Sequence, residues 1–453
     1  MAGIPVALTI AGSDSGGGAG IQADLKTFAV MGVHGTSAIT SITAQNTKEV
    51  RAIFDLPPEM VVSQVEAVAD DLGVDAAKTG MLSNAGIIRA VASIVDKYGF
   101  PLVVDPVMIA KSGARLLRED AVDALKRLLI PRATVVTPNV PEAEVLSGIK
   151  ITDRRSQEEA ARVIVEELGA ESVVVKGGHM SGAHSIDLLY YNGRIIELKA
   201  DRVNKNTTHG TGCAFSAAIA AGLAKGRSIE EAVRVAKHFI TMAIDYGLEI
   251  GEGVGPVNPV AWQAIPAERW RVLENLKEAA SLLRRHETVV AKVVPEVQMN
   301  IGMSLPALYA RTPLDVAAFP GRIGVYRGRL VFKAEPEFGA SRHIARLILT
   351  ALSYDERVRS AANIKYDKEI VDAAEDLGYS VVRIDRSKEP PEVKEKEGRT
   401  LPWVVREAFK EIGKMPDVIY DEGDFGKEAM VRILGEDALV VAEKIVKIAS
   451  RLA

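Results

Sequence analysis

Short apolar runs alternate with longer amphipathic stretches along residues 1–265. The apolar runs are almost continuous in Val, Ile and Leu, which is typical of strands buried on both faces of a sheet. Strands that alternate with helices predict a parallel sheet with right-handed crossover connections. The predicted strands are Val6–Ala11, Ala76–Thr79, Leu102–Asp105, Thr134–Thr137, Ser172–Lys176 and Ile186–Tyr191. The predicted helices include Gly20–Met31, Pro58–Asp71, Ala85–Tyr98, Asp120–Leu129, Gln157–Leu168 and the small-residue stretch Ala214–Ala224.

A Gly- and Pro-rich stretch without periodicity, residues 251–266, predicts a loop that leaves the first domain. An amphipathic helix is predicted at 268–286, and the pattern of strands and helices then restarts. The predicted strands are Ile323–Tyr326, Leu330–Phe332, Ser380–Arg383 and Val418–Tyr420. The predicted helices are Ser341–Ser353, Lys368–Leu377, Trp403–Ile412 and Asp437–Leu452. We therefore expect an α/β domain at 1–265, a linker helix at 266–286 and a second α/β domain at 287–453.

Composition excludes several classes of protein. The 453 residues have a net charge of −4 and an ordinary globular balance, which gives no electrostatic footprint for nucleic acid. The single cysteine, Cys213, excludes an intrachain disulfide and suits a reducing cytosol. The apolar N-terminal run flows into a glycine-rich turn and reads as a strand, not as a signal peptide. We expect a soluble cytoplasmic protein without a membrane partner.

Candidate chemistry follows the predicted strands, at the edge where parallel sheets bind ligands. The segment from Gly210 to Cys213 precedes a helix, whose N-terminus and converging N–H groups favour a transferring phosphoryl group. The alternative interpretation is that Gly210 and Gly212 only allow the helix to pack closely against its neighbours. Asp105 and Glu142 follow two strands and can hold Mg²⁺ through waters, although each is equally suited to cap a helix. Lys176 can place a cation beside ATP phosphates.

The segment Gly12–Gly20 also follows a strand, but its spacing differs from a dinucleotide fingerprint, and we interpret it as a substrate-side loop. With these features, residues 1–262 resemble the hydroxymethylpyrimidine/phosphomethylpyrimidine kinase family of the ribokinase-like superfamily. The segments that carry the resemblance are 11–24, 43–47, 78–82, 105–108, 139–142 and 209–213. The resemblance implies an α/β/α sandwich with a largely parallel central sheet, followed here by the second α/β domain. It also implies ATP and Mg²⁺, two successive phosphorylations that give the pyrimidine pyrophosphate, and self-association into a homo-oligomer.

The resemblance assigns roles to individual residues of the first domain. The residues that match the family's pyrimidine site are Gly12, Asp24, Thr43, Gln45 and Met81. Those that match its nucleotide site are Asn139, Lys176, Thr208 and Thr211, and those that match its metal site are Asp105 and Glu142. It makes Cys213 catalytic, with Gly210 and Gly212 beside it. A thiol at a helix N-terminus is expected to have a lowered pKa and to accept the substrate's hydroxyl proton, although Cys213 also suits a small buried apolar position. A pyridoxal-type kinase is the nearest alternative.

Cationic residues beside glycines and helix starts tilt the second domain toward an anionic ligand, although each arginine also suits a surface ion pair. The domain resembles the archaeal-type thiamine-phosphate synthase, through segments 300–302, 321–322, 339–345, 363–366, 385–386 and 426–428. The resemblance implies condensation of the pyrimidine pyrophosphate with thiazole phosphate, which gives thiamine phosphate and pyrophosphate. The candidate residues are Arg322 and His343 for catalysis, and Asn300, Arg342, Lys365, Asp385 and Arg386 for substrate binding.

Domains of the same kind also sense thiamine phosphates without catalysis in archaeal transcriptional regulators. The alternative for the whole chain is therefore a vitamin kinase fused to a sensing domain. The sequence has no basic recognition helix, and Arg322 and His343 suit a leaving pyrophosphate, so we favour the catalytic interpretation.

Overall fold

The computed structural model of the chain describes residues 3–109, 113, 116–179, 182–394, 396, 398–424 and 428–452. It divides the chain into two compact units, Met1–Gln263 and Ala264–Ala453. The helix predicted as a linker at 266–286 falls within the second unit. The division into 1–265, 266–286 and 287–453 stays a prediction. It concerns functional domains, whereas the two units are defined only by how compactly they fold.

Among the described residues of the first unit, nine strands form one sheet in the order β3-β2-β1-β4-β5-β6-β7-β8-β9. The pairs from β2 to β7 are parallel, and β3, β8 and β9 join the two edges antiparallel. The strands are β1 (Val6–Asp14), β2 (His34–Gln45), β3 (Val50–Asp55), β4 (Ala76–Thr79), β5 (Leu102–Val104), β6 (Val135–Val136), β7 (Ser172–Val175), β8 (His184–Tyr191) and β9 (Arg194–Asp201). The largely parallel central sheet is confirmed.

Helices cover both faces of this sheet. They are α1 (Gly20–Val30), α2 (Pro58–Asp71), α3 (Ala85–Tyr98), α4 (Glu119–Ala124), α5 (Val140–Ser147), α6 (Arg154–Arg162), α7 (Thr211–Ala224) and α8 (Ile229–Asp245); π-helical turns at Leu125–Leu129 and Val163–Glu167 extend α4 and α6. Neighbouring residues of β1 enter different cores: Leu8 packs with Ile87 of α3, whereas Ala7 packs with Phe215 of α7. This alternation follows from the two-residue period of a strand and gives the expected α/β/α sandwich.

The sequence analysis missed β2 because its Ser and Thr residues hide the strand pattern. Their hydroxyls are satisfied by neighbouring main chain: Thr36 Oγ1 donates to Ala7 O, and Thr40 Oγ1 donates to Met81 O. The predicted loop at 251–266 was partly wrong. Helix α9 (Ala261–Arg285) begins at Ala261 and accommodates Pro266 within it.

The described residues of the second unit form a seven-stranded sheet in the order β14-β11-β10-β15-β18-β17-β16 and a two-stranded hairpin, β12-β13. Within the larger sheet, β16 and β17 pair parallel and the other pairs are antiparallel. The strands are β10 (Asn300–Ser304), β11 (Val316–Ala318), β12 (Ile323–Tyr326), β13 (Arg329–Phe332), β14 (Glu337–Phe338), β15 (Ser360–Lys365), β16 (Val381–Arg383), β17 (Val418–Asp421) and β18 (Met430–Gly435). The remaining helices are α10 (Glu287–Val290), α11 (Arg342–Leu352), α12 (Lys368–Asp376), α13 (Pro391–Lys394), α14 (Thr400–Ile412) and α15 (Ala438–Arg451).

No helix in the described part of the chain combines the length and the apolar character that a membrane crossing needs.

Candidate active sites

Two glycine-rich loops of the first unit interlock at the start of α7. Gly210 caps this helix with a φ of +79°, and a Cβ at Gly210 would lie 1.8 Å from the carbonyl oxygen of Gly18. A Cβ at Gly18 would in turn lie 2.4 Å from Cδ2 of His209. The left-handed backbone and the lack of space both require glycine at position 210. The loop after β1 and the loop before α7 therefore form one structure.

The first turn of α7 faces Asp105 and Lys176, as the order of the strands predicts. A Cβ at Gly212 would lie 3.2 Å from Asp105 Oδ2 and 3.4 Å from Lys176 Nζ. Thr211 Oγ1 donates to the carbonyl oxygen of Thr208 at 2.7 Å, which holds the loop closed. The missing side chain at Gly212 thus leaves room beside a helix N-terminus and a lysine. These groups fit the phosphates of ATP.

Asp105, Lys176 and Glu142 form a buried charged group after β5, β6 and β7. Lys176 Nζ lies 3.2 Å from Asp105 Oδ1. Burial raises the pKa of Glu142 to about 7, against the opposing effect of Lys176, and the negative charge of Asp105 adds to the rise. Glu142 and Asn139 also form a reciprocal capping box at the start of α5, so Glu142 does cap a helix, as the alternative interpretation predicts.

The Mg²⁺ role of Asp105 and Glu142 stays a prediction. Among the described residues, no group of three or more His, Cys, Asp and Glu side chains is placed to hold a metal ion. Two carboxylates that face one space suit Mg²⁺, which keeps several of its waters. The amide oxygen of Asn139 accepts from the backbone N–H of Glu142 at 2.9 Å, so only the rest of this amide is free for its predicted nucleotide contact.

The expectation of a lowered pKa at Cys213 is wrong. Burial raises the pKa of the thiol to about 11, although the positive charge of Lys78 and a hydrogen bond from the N–H of Gly20 oppose the rise. Proximity to a helix N-terminus does not overcome the loss of hydration at this position. The Cys213 thiol therefore carries its proton at pH 7.

The predicted pyrimidine site is partly assembled. A Cβ at Gly12 would lie 3.2 Å from Met81 Sδ, so these two residues pack together. Gln45 borders a cavity of about 400 Å³, together with His209 and residues from two further loops. The full lining of this cavity is Gln45, Asn46, Thr47, Lys48, Asn206, His209, Glu252, Gly253 and Val254. Thr43 Oγ1 lies 3.3 Å from the end of the Gln45 side chain.

Asp24 differs from its predicted role as a pyrimidine ligand in this conformation. Its side chain has no exposed surface, and Oδ2 accepts from Lys78 Nζ at 2.8 Å and from Thr9 Oγ1 at 2.7 Å. Oδ1 is buried and has no hydrogen-bond partner among the residues that the structure describes. Asp24 thus acts here as the counter-ion of a buried lysine, which the sequence analysis did not identify.

Arg322 and His343 of the second unit come together. Arg322 has a φ of +63°, a conformation that costs free energy for a residue with a side chain, and its guanidinium donates to the carbonyl oxygen of Val297. Ser341 caps α11 as predicted, and its side chain accepts from the N–H of Ile344. Arg342 and His343 open this helix at exposed positions.

His343 is neutral at pH 7. The surrounding protein atoms, and then the positive charges of Arg432, Arg322 and Arg346, lower the pKa of His343 to about 4. With this pKa, His343 adds no positive charge of its own to the site, and its role in catalysis stays a prediction. Its imidazole can still donate one hydrogen bond. The sequence analysis missed Arg432, since it stands beside neither a glycine nor a helix start.

Arg432 and Arg386 belong to a buried ionic network. Arg432 Nη1 donates to Asp421 Oδ2 at 2.7 Å, and Arg386 Nε donates to Glu389 Oε2 at 3.1 Å. Arg386 Nη1 also lies 3.6 Å from Asp421 Oδ2. Arg386 is thus bound to carboxylates rather than presented to a substrate. Arg432 Nε is buried and has no hydrogen-bond partner in the described part of the chain.

The other predicted substrate residues of the second unit vary in position. The side chain of Asn300 is buried and bound to the main chain of Phe319 and Ile301, so this conformation provides no contact with a ligand. Lys365 ends β15, and Asp385 accepts from the N–H of Ser387 at 3.0 Å. Gly426 and Lys427 of the predicted 426–428 segment lie outside the described residues.

Known proteins resemble each unit separately. The phosphomethylpyrimidine kinase family matches residues 14–258, and the family thiamine-phosphate synthase ThiN matches residues 275–447. The hydroxymethylpyrimidine/phosphomethylpyrimidine kinase of Bacillus subtilis is 51% identical over 259 residues, which are 57% of this chain and 95% of that protein. The thiamine biosynthesis bifunctional protein ThiED of Geobacter sulfurreducens is 48% identical over 254 residues, which are 56% of this chain and 52% of that protein. The pyridoxal kinase from Staphylococcus aureus in complex with AMP-PCP and pyridoxal is 37% identical, with a TM-score of 0.53, over 58% of this chain and 95% of that chain.

The fold of the first unit and its helix-start site define a small-molecule kinase of the ribokinase-like class. More particularly, the chain belongs to the phosphomethylpyrimidine kinase family. The second unit carries a thiamine-phosphate synthase domain, and the chain is a bifunctional transferase.

Proposed function

We propose that the first unit phosphorylates hydroxymethylpyrimidine with ATP, and then phosphorylates the monophosphate to the pyrophosphate. One observation carries this proposal. The helix start at Gly210–Cys213 lies beside Lys176 and Asp105, and Gly212 has no side chain to fill the space between them. This arrangement offers converging N–H donors and a cation where charge develops on a transferring phosphoryl group. ATP with Mg²⁺ would supply that group.

The residues around this point have separate tasks in the proposal. Lys176 and the N–H groups of α7 hold the phosphates, with Thr208 and Thr211 shaping the loop. Asp105 and Glu142 would hold hydrated Mg²⁺, which would offset negative charge on the phosphates. In the proposal, Cys213 receives the proton of the substrate's hydroxyl; because the pKa of its thiol is about 11, that thiol must first give its own proton to water.

The pyrimidine is the proposed acceptor rather than a pyridoxal-type alcohol. The B. subtilis relative is a pyrimidine kinase at 51% identity, whereas the S. aureus structure with pyridoxal is 37% identical. A side reaction with pyridoxal remains the second candidate, since Met81 and Gly12 form a wall that adapts to either ring. A cytoplasmic location and self-association stay predictions.

We propose that the second unit condenses the pyrimidine pyrophosphate with thiazole phosphate and so completes thiamine phosphate. The positive charges of Arg432, Arg322 and Arg346 all act on His343, and Arg432 Nε has no hydrogen-bond partner among the described residues. Such a cluster suits the pyrophosphate that leaves when the pyrimidine methylene is attacked by the thiazole nitrogen. This observation favours catalysis over sensing, because a leaving group needs compensation for developing charge.

One set of assays on the full chain tests both proposals. Wild-type protein receives hydroxymethylpyrimidine, ATP, Mg²⁺ and thiazole phosphate, and each phosphorylated species is followed. Cys213→Ala is expected to retain its fold and ATP binding, to lose phosphorylation and still to condense added pyrimidine pyrophosphate. Arg322→Ala is expected to accumulate that pyrophosphate. Unchanged turnover of Cys213→Ala removes the thiol from the mechanism, and absence of thiamine phosphate in the wild type supports the sensing alternative.

A further inference from the structure

Asp55, at the end of β3, has no task in the proposed reaction, but four side chains donate hydrogen bonds to its carboxylate. Ser41 Oγ of β2 donates to Oδ1 at 2.9 Å. Oδ2 accepts from Ser83 Oγ at 2.8 Å, from Asn84 Nδ2 at 3.1 Å and from Arg118 Nη2 at 3.2 Å. The Asp55 side chain is 19% exposed. One carboxylate thus joins β2 and β3 to the loop after β4 and to the segment before α4.

The loop after β4 carries Met81, which belongs to the predicted pyrimidine site. The carbonyl oxygen of Met81 accepts from Thr40 Oγ1 of β2 at 2.6 Å. Two residues further on, the carbonyl oxygen of Ser83 accepts from the N–H of Arg118 at 3.0 Å. The segment from Met81 to Ser83 is therefore held at one end by β2, and at the other end by Arg118 and Asp55.

Ser83 has an unfavourable backbone conformation. Its φ is +59°, in the left-handed region, where a residue with a Cβ is strained. Such a conformation persists only where the surrounding contacts hold it. Ser83 is buried, and its hydroxyl donates to Asp55. This hydrogen bond offsets the strain, so it fixes the direction of the chain between Met81 and α3.

We propose that Asp55 is a positioning residue for the kinase reaction, which acts through Ser83 to hold Met81 in place beside the pyrimidine. This inference rests on the proposed function. The phosphates are expected at Lys176 and Gly212, which follow β7 and lie in α7, and the hydrogen bonds described for Asp55 do not reach either residue. Loss of the carboxylate should therefore weaken binding of the pyrimidine and spare binding of ATP.

Steady-state kinetics of the full chain with hydroxymethylpyrimidine and ATP test the inference. Asp55→Ala leaves its four donors without this acceptor. We expect KM for the pyrimidine to rise at least about tenfold, and KM for ATP to stay within about twofold. Asp55→Asn keeps an oxygen for Ser83, and its Nδ2 can donate to Ser41 Oγ, so we expect both KM values to stay within about threefold. A merely structural role would reduce the amount of folded enzyme without separating the two KM values.

Asp75→Ala is the matched control for loss of a carboxylate from the same sheet. Asp75 Oδ2 accepts from the N–H of Val6 at 2.8 Å, at the other end of β1 from the loops of the site. This variant should change each KM by less than about twofold.

The backbone of Ser83 gives a second test, which also applies if Asp55→Ala does not fold. Ser83→Ala removes the hydroxyl and keeps the strain, whereas Ser83→Gly removes both. KM for the pyrimidine should therefore be at least about fivefold higher in Ser83→Ala than in Ser83→Gly.

Equal KM values in the two Ser83 variants would overturn the inference. So would a KM for the pyrimidine that is unchanged in Asp55→Ala, or that rises only together with KM for ATP. A wild-type chain that does not phosphorylate the pyrimidine would instead overturn the proposed function.

Discussion

Lys78 Nζ lies 2.8 Å from Asp24 Oδ2, and neither side chain has any exposed surface. Attraction between the two charges offsets the cost of burying them, and it raises the pKa of Lys78 although burial alone would lower it. Such a pair is costly to break, because the remaining charge is then buried without compensation.

We expect Lys78→Met to lower the free energy of unfolding by about 3–5 kcal/mol, and Asp24→Asn to have an effect of similar sign. The double variant should be more stable than Lys78→Met alone, since it leaves no unpaired charge. Lys97→Met is the control, because Lys97 and Glu66 are also 2.8 Å apart but lie at the surface. Calorimetry of the full chain measures all four; a loss in Lys97→Met equal to that in Lys78→Met would contradict the argument.

Ionisation of Cys213 should be readable directly, because the chain has no other cysteine. With a pKa of about 11, the alkylation rate of the folded chain by iodoacetamide should rise about tenfold per pH unit to about pH 10. The urea-unfolded chain should instead level off above its ordinary pKa of about 8.5. A plateau below pH 9 in the folded chain would show that burial does not control the thiol.

His343 should respond to pyrophosphate. Its pKa of about 4 is below the ordinary histidine value, and part of this shift comes from the three neighbouring arginines. A bound pyrophosphate offsets their charge, so we expect the pKa to rise toward 6.5. Proton NMR of histidine-labelled full chain measures the change, and His343→Gln identifies the signal. An unchanged pKa in saturating pyrophosphate would place the anion elsewhere.

The same shift has a consequence for stability. The unfolded chain binds a proton at His343 near pH 6.5, whereas the folded chain does so only near pH 4. The neutral imidazole therefore favours folding above pH 6.5, and this contribution is lost as the pH falls between those values. We expect wild type to lose stability over this interval and His343→Gln to lose less, as measured by urea unfolding at each pH.

Gly210→Ala should abolish phosphorylation, because the new Cβ would lie 1.8 Å from the carbonyl oxygen of Gly18. Gly226→Ala is the matched control. Gly226 also has a positive φ, +72°, but no atom of the described residues lies within 4 Å of its Cβ position. The control should cost about 1–2 kcal/mol of stability for the left-handed backbone alone and should keep its turnover. Equal kinase activity in both variants would disprove the need for the close approach.

Structural elements that follow from a local pattern were predicted well. Strand β4 has the predicted bounds, and Gly210–Cys213 begins a helix because glycines and small residues mark that change of structure. Asp105 and Lys176 meet because parallel strands end at one edge of the sheet. The sequence resemblance supplied their chemical identity, which the spacing alone left open.

Properties that depend on distant residues were not predicted. The pKa of Cys213 is raised by burial beneath other elements, and that of His343 is lowered first by burial and then by the charges of Arg432, Arg322 and Arg346. Arg432 lies within β18, where periodicity gives no sign of an anion site. The contact between Asp14 and His209 joins the first and last parts of the kinase unit, so no local motif contains it.

The interlocking of Gly18 with Gly210 also limits when activity can appear during protein synthesis. A nascent chain that ends after β9 contains every strand described for the first unit, but not His209, Gly210 or α7. It also lacks α7 and α8, which cover one face of the sheet. A ribosome-bound or truncated chain of that length would therefore present an exposed apolar face and no phosphoryl-transfer site. Kinase activity should therefore be gained late and in one step, when the segment that contains Gly210 and α7 has been made.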